Sequence, residues 1–162
     1  MIRPATAADI PAILAIWNPL IRDTMVTFNA AEKSPDDLAA MLAAKEADRY
    51  PFIVADSGDG IAGFATYGQF RGGVGYARAM EHTIMLGPDA RGRGIGRALM
   101  RAIEDDARAR GAHCLIAGVS GGTPEGRAFH AAIGFREVAI VPEVGWKFGR
   151  FWDLVLMQKI LT

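Results

Sequence analysis

The segment Arg91-Gly92-Arg93-Gly94-Ile95-Gly96-Arg97 lies directly after a β-rich apolar run and directly before a helical pattern, and it constrains this chain more than any other stretch. Glycines let the backbone turn sharply and approach a ligand closely, and the first amides of the following helix have no intrahelical acceptor. Such amides form an anion site, to which the arginines add guanidinium forks suited to phosphate oxygens. On the glycines alone a solvated surface turn is the better reading; the strand before them and the helix after them shift the reading to a phosphate-bearing ligand. Two other phosphate motifs fail. A Walker loop needs GxxxxGK followed by Ser or Thr, which occurs nowhere. A dinucleotide fingerprint needs GxGxxG near the start of the sheet, whereas the order here is GxGxG and it arrives mid-chain.

The 162 residues are enough to bury a sizeable core without disulfides or metals, so one domain over 1–162 is expected. Eighteen Lys plus Arg balance eighteen Asp plus Glu, and no basic face advertises nucleic acid. Cys114, the single cysteine, excludes an internal disulfide and a thiolate metal cluster, and no metal is expected. The start, Met1-Ile2-Arg3-Pro4, lacks a basic and apolar leader, and no apolar stretch reaches membrane-spanning length. A soluble, cytoplasmic protein with no membrane partner is the expectation.

Along the chain, Ile2 to Pro4 reads as a short strand, and Thr6 with Asp9 as a capping box for a helix burying Ile10, Ile13, Leu14 and Trp17. Ser34 and Pro35 open a second helix. Between the two helices, 22–31 reads as a loop containing Phe28. Phe52 to Ala55 and Ile61 to Tyr67 form a hairpin, 69–75 is expected to be a mobile loop, and Ala79 to Leu86 is a strand ending at Gly87-Pro88. From Ile95 the positions Ala98, Leu99, Ala102 and Ile103 recur with helical period up to Gly111. Cys114 to Val119 is a buried strand, Thr123-Pro124-Glu125 starts a short helix through His130, and Gly134 ends it. Glu137 to Val141 and Phe151 to Ile160 are the last strands, with 142–150 expected as a loop between them.

Arg91, Gly94 and Gly96 match the acyl-CoA loop of the GNAT N-acetyltransferase superfamily, and the order of elements resembles that family over essentially the whole chain. Glu81-His82 and the run Val144-Gly145-Trp146-Lys147-Phe148-Gly149-Arg150-Phe151-Trp152-Asp153 are similar to the phosphinothricin acetyltransferase family, which acetylates amino acid analogues such as methionine sulfoximine. The resemblance implies an α/β (α+β) fold: a mixed, mostly antiparallel sheet with a splayed central strand pair and helices on both faces. It implies acetyl-CoA as cosubstrate, with pantetheine along Ile84, Met85 and Leu86 and the pyrophosphate on Arg91, Gly92, Arg93, Gly94, Ile95, Gly96 and Arg97. Frequent homodimers in the family make a homodimer a further expectation.

Transfer to an amine requires the amine to lose a proton, and the resemblance places Glu81 where a base would sit. His130 stands where many relatives have a tyrosine that protonates the departing thiolate, and an imidazole could donate that proton or hydrogen bond the cofactor. His82, on the opposite strand face from Glu81, reads as structural. Thr123 replaces a family Asn but can still cap the helix and bond the cofactor, and Gly126 replaces a common Ser. Arg71 in the glycine-rich loop is the candidate fork for an acceptor carboxylate, with Phe28, Val74, Gly75 and Tyr76 as further pocket residues. The leading function is acetyl transfer to the primary amine of a small amino acid or analogue. Alternatives are a non-catalytic acyl-CoA-binding regulatory module and an acetyltransferase for a peptide or protein amine.

Overall fold

A computed structural model describes residues 1–162. The chain begins with strand β1 (Ile2–Pro4), after which Asp9 accepts the Thr6 backbone N–H at 2.8 Å and a bidentate pair of bonds from Arg3 at 2.8 and 2.9 Å. This junction opens a short 3-10 turn that runs on into helix α1 (Ile10–Asp23), which buries Ile10, Ile13, Ile16, Trp17 and Ile21. Helix α2 (Pro35–Ala47) is fastened by a reciprocal box: Ser34 Oγ accepts from Asp37 N–H at 3.0 Å and Asp37 accepts from Ser34 N–H at 2.8 Å. Strands β2 (Phe52–Asp56), β3 (Ile61–Gln69) and β4 (Ala79–Leu86) follow as an antiparallel meander. Helix α3 (Ile95–Ala109) crosses over to β5 (Cys114–Ser120), so β4 and β5 pair in parallel, as a helical crossover between neighbours requires. Helix α4 (Pro124–Ala132) and the strands β6 (Arg136–Lys147) and β7 (Arg150–Ile160) complete the chain.

The sheet order is β1-β2-β3-β4-β5-β7-β6, antiparallel at every junction except β4–β5. One face carries α1 and α2 over a core of Ile13, Trp17, Ile21, Leu38, Val54 and Phe64. The other carries α3 and α4 over Tyr67, Leu99, Met100, Ile103, Leu115 and Met157. The two clusters clamp the sheet, and helices therefore lie on both faces as expected.

The central junction departs from ordinary pairing. Only Ala79↔Cys114, Met80↔Leu115 and Glu81↔Ile116 are in register between β4 and β5. Past Glu81, β4 stays on β3 as far as Leu86↔Gly63, while β5 stays on β7 as far as Ser120↔Leu154. The two strands diverge into a V whose inner edges carry unpaired backbone groups, which must find partners elsewhere.

One loop expectation needs correction. Residues 142–150 are not a loop: β6 continues to Lys147 through a bulge, the register slipping between Val141↔Leu154 and Gly145↔Trp152. The strands then join through a two-residue turn at Phe148 and Gly149, with φ of 52° and 74°. In the glycine-rich 69–75 segment the Gln69 amide donates to the carbonyls of Arg71 at 2.6 Å and Gly73 at 2.8 Å, and a 3-10 turn occupies Val74–Tyr76.

Candidate active site in the strand V

A cavity of about 940 Å³ fills the V and extends over the start of α3 and the α1–α2 connection. At its α3 end, Gly92 and Gly94 adopt left-handed φ of 73° and 71°, which turns the chain so that the helix begins beside the cavity. The first intrahelical bond runs from Ala98 N–H to Gly94 carbonyl at 3.0 Å, leaving the amides of Ile95, Gly96 and Arg97 ahead of it for a ligand. Gly96 has a second reason to be glycine. A Cβ there would lie 3.0 Å from Phe129 and 3.1 Å from Leu86, so its absence lets α3 press against α4 and β4.

Ile84, Met85, Leu86, Arg91, Gly92, Gly94, Ile95, Gly96, Arg97 and Thr123 all line the cavity, as do Phe28, Glu81 and His130. Arg93 does not; its guanidinium reaches the Asp89 carbonyl at 3.4 Å. Arg71, Val74, Gly75 and Tyr76 are exposed and do not line the cavity either, Val74 being 97% accessible. The expected carboxylate fork is therefore not brought to the V by this chain's fold. Thr123 does not cap α4: its hydroxyl donates to the Ser120 carbonyl at 2.9 Å, stiffening the turn after β5.

Glu81 occupies the last paired position before the strands part. Its carboxylate forms no salt bridge. It faces β5 at Gly118, where a Cβ would stand 3.2 Å from Oε2. The side chain is accessible from the cavity, yet enough protein surrounds it that desolvation holds its pKa above the usual glutamate value. A carboxylate with a raised pKa and no cationic partner is suited to accept a proton near neutral pH.

The histidines are arranged differently from expectation. His130 Nδ1 lies 2.7 Å from the Gly126 carbonyl and its Nε2 lies 2.9 Å from Nε2 of His82, a residue on β4. A carbonyl can only accept, so His130 carries its proton on Nδ1, and Nε2 must accept from His82 Nε2–H. That assignment leaves His82 Nδ1 as a buried lone pair without a partner. Burial lowers the pKa of both rings, His82 to about 3, and both are neutral at pH 7. Neither nitrogen of neutral His130 is free to donate to a departing thiolate; the pair instead ties β4 to α4 at the wall of the V. His82, read from sequence as structural, is buried at 7% exposure and borders the cavity. Strand alternation signals its burial, but nothing local signals its partner 48 residues on. The α1–α2 connection, with Val26, Thr27 and Asn29, also lines the cavity without a sequence signal beyond Phe28.

Residues 17–135 match the acetyltransferase (GNAT) family. The chain belongs to the GNAT acetyltransferase family. It is 37% identical over 161 residues to the L-methionine sulfoximine/L-methionine sulfone acetyltransferase of Pseudomonas paraeruginosa, covering 97% of this chain and 92% of that one. It is 32% identical to the phosphinothricin N-acetyltransferase of Streptomyces coelicolor, over 99% and 95% of the two chains. Among solved structures, yncA, a putative acetyltransferase of Salmonella typhimurium crystallised with its cofactor acetyl-CoA, superimposes with a TM-score of 0.94 at 33% identity, over 100% of this chain and 94% of the other. The splayed sheet and the glycine-arginine loop are thus those of a GNAT N-acetyltransferase. Acetyl-CoA is its acyl donor, and the free α3 amides, Arg91, Arg97 and the open β4 edge suit its pyrophosphate and amide-rich arm.

Proposed function

We propose that the whole chain, 1–162, acts as one N-acetyltransferase domain that acetylates the primary amine of a small amino acid analogue of the methionine sulfoximine or phosphinothricin type. The observation that carries this reading is Glu81: an unpaired carboxylate with a raised pKa at the apex of the V, between the loop suited to the cosubstrate and the Phe28 side of the cavity. Acetyl-CoA supplies an activated thioester. Glu81 takes a proton from the acceptor ammonium, directly or through water, so that the amine nitrogen can bond to the carbonyl carbon; the C–S bond then breaks, and the second proton shed by the nitrogen as the adduct collapses ends on the departing thiolate. The amides of Ile95 to Arg97, with Arg91 and Arg97, hold the pyrophosphate, while the His82–His130 tie keeps β4 and α4 in place.

The reading includes a cytoplasmic homodimer that uses neither nucleic acid nor membrane. The zero net charge supports the first exclusion, and no helix is long and apolar enough to cross a membrane. Val138, Ile140, Val144, Trp146, Phe148 and Phe151 are exposed along β6 and β7, an apolar strip suited to a second copy. The test is a CoA-release assay with L-methionine sulfoximine, L-methionine sulfone and phosphinothricin beside amine-free enzyme. Acetyl-CoA binding without amine-dependent CoA release would leave a binding module instead of an enzyme.

A further inference from the structure

Lys147, near the end of β6, is 3% exposed and has no carboxylate partner. Its ammonium donates instead to two backbone carbonyls of the α1–α2 connection, Thr24 at 2.6 Å and Thr27 at 2.7 Å. The lysine is itself held, because the Trp152 indole N–H donates to its carbonyl at 2.8 Å and the Arg150 guanidinium stacks 3.9 Å above the Trp152 ring. Two residues earlier on the same strand face, Gly145 supports the connection from below. A Cβ at Gly145 would lie 2.7 Å from three carbons of the Phe28 ring, so the ring rests directly on the glycine backbone. The sequence run 144–153 therefore holds the wall of the cavity in place, a use that acetyl transfer as described does not assign to it.

All peptides here are trans, so a carbonyl turned toward Lys147 turns the amide of the next residue away from it. The amides of Met25 and Phe28 are in this position, and neither donates to any protein acceptor, whereas Val26 and Asn29 amides are taken by Thr24 and Thr27 hydroxyls at 3.2 Å. A cation on the carbonyl side of a peptide polarises it and strengthens its N–H as a donor to an anion. The cavity's own arginines, Arg91 and Arg97, belong to the phosphate loop.

We propose that Lys147 is a positioning residue for the acceptor subsite: it orients the 24–28 connection so that Phe28 walls the cavity and the Phe28 amide binds the acidic group of the acceptor. This rests on the amino acid reading above and names how that class is recognised in the absence of an arginine fork.

The experiment compares wild type, Lys147→Met and Gly145→Ala by two measurements. Hydrogen exchange of segment 24–29, followed by mass spectrometry without any substrate, reads the clamp; Lys147→Met should speed exchange there about tenfold while α3 exchanges as in wild type. Steady-state kinetics then use L-methionine sulfone and its decarboxylated counterpart, 3-(methylsulfonyl)propylamine. Lys147→Met should raise KM for the amino acid about tenfold, the scale of one lost charge-assisted bond, and that for the amine about twofold, with the acetyl-CoA KM unchanged. Gly145→Ala, which displaces the ring and leaves the lysine, should raise KM for both acceptors alike. Unchanged exchange in Lys147→Met overturns the clamp. Faster exchange with equal effects on both acceptors overturns the anion subsite. A wild-type enzyme that acetylates neither probe, with the exchange result intact, overturns the amino acid reading and its subsite together while the clamp stands.

Discussion

Gly96→Ala tests why the cosubstrate loop is built as it is. The new methyl would meet Phe129 Cε2 at 3.0 Å, Leu86 Cδ1 at 3.1 Å and Phe129 Cζ at 3.2 Å, all tighter than ordinary carbon contacts. Overpacking of this kind costs about 1–3 kcal/mol. Replacing glycine by alanine inside a helix returns about 0.5–1 kcal/mol. The midpoints leave overpacking ahead, with a net loss of about 1 kcal/mol inside a span of about 0 to 2.5 kcal/mol, and a fall in Tm of about 2–4 °C at the midpoint for a domain of this size. Relief of the clash requires the first turn of α3 to move off β4 and α4, and that turn carries the Ile95, Gly96 and Arg97 amides. CoA affinity should fall about tenfold, equivalent to roughly 1.4 kcal/mol. Gly94→Ala is the control, since a Cβ there meets nothing within 4 Å and the cost comes only from its φ of 71°. Thermal denaturation and calorimetric titration with CoA decide the matter. A Gly96→Ala protein with native Tm and native CoA affinity would refute the close-approach argument.

Glu81→Gln keeps the shape of the side chain and removes its basicity, so turnover should fall by about 10² to 10⁴ while acetyl-CoA binding persists. Because the pKa of Glu81 is raised and the base must be ionised, wild-type activity should decline as pH falls through a value above the ordinary glutamate range, and this limb should flatten in the variant. Near-native turnover would assign the proton elsewhere. Burial holds His82 neutral, so the unfolded chain binds the extra proton first as pH falls; stability from this residue is full above the unfolded value of about 6.5 and is lost toward the folded value of about 3. His82→Gln should therefore narrow the Tm difference between pH 7 and pH 5, and an unchanged difference would contradict the neutral buried pair. Lys159 donates to both oxygens of buried Glu104 at 2.9 and 2.8 Å, linking β7 to α3. Glu104→Gln should destabilise by about 1–3 kcal/mol in urea unfolding, with the acetyl-CoA KM unaffected.

The local chemistry of this protein is written in its sequence. Gly92 and Gly94 before a periodic apolar stretch define a strand-to-helix turn because left-handed φ is cheap for glycine and amphipathic spacing survives any packing. The strand that carries Glu81 is legible from its apolar residues ending at Gly87-Pro88, whereas the choice of Glu81 as candidate base rests on the family resemblance. The tertiary structure alone decided what depends on distant partners. The V opens because β4 follows β3 and β5 follows β7, and no residue within either strand signals that their pairing stops after Glu81↔Ile116. The turn at Phe148-Gly149 was hidden because an aromatic residue at φ 52° is not a turn signal, and Pro142 with Gly145 looks like a loop although a bulge absorbs the irregularity. Glycine runs around Arg71 suggest a ligand loop, but flexible sequence carries no information about where the loop lies, and Arg71, Val74, Gly75 and Tyr76 do not line the cavity. The roles of His130 and Lys147 were hidden most deeply, since a lone imidazole or ammonium can serve catalysis, capping or clamping. Only their partners, His82 48 residues away and the Thr24 carbonyl 123 residues away, make the choice.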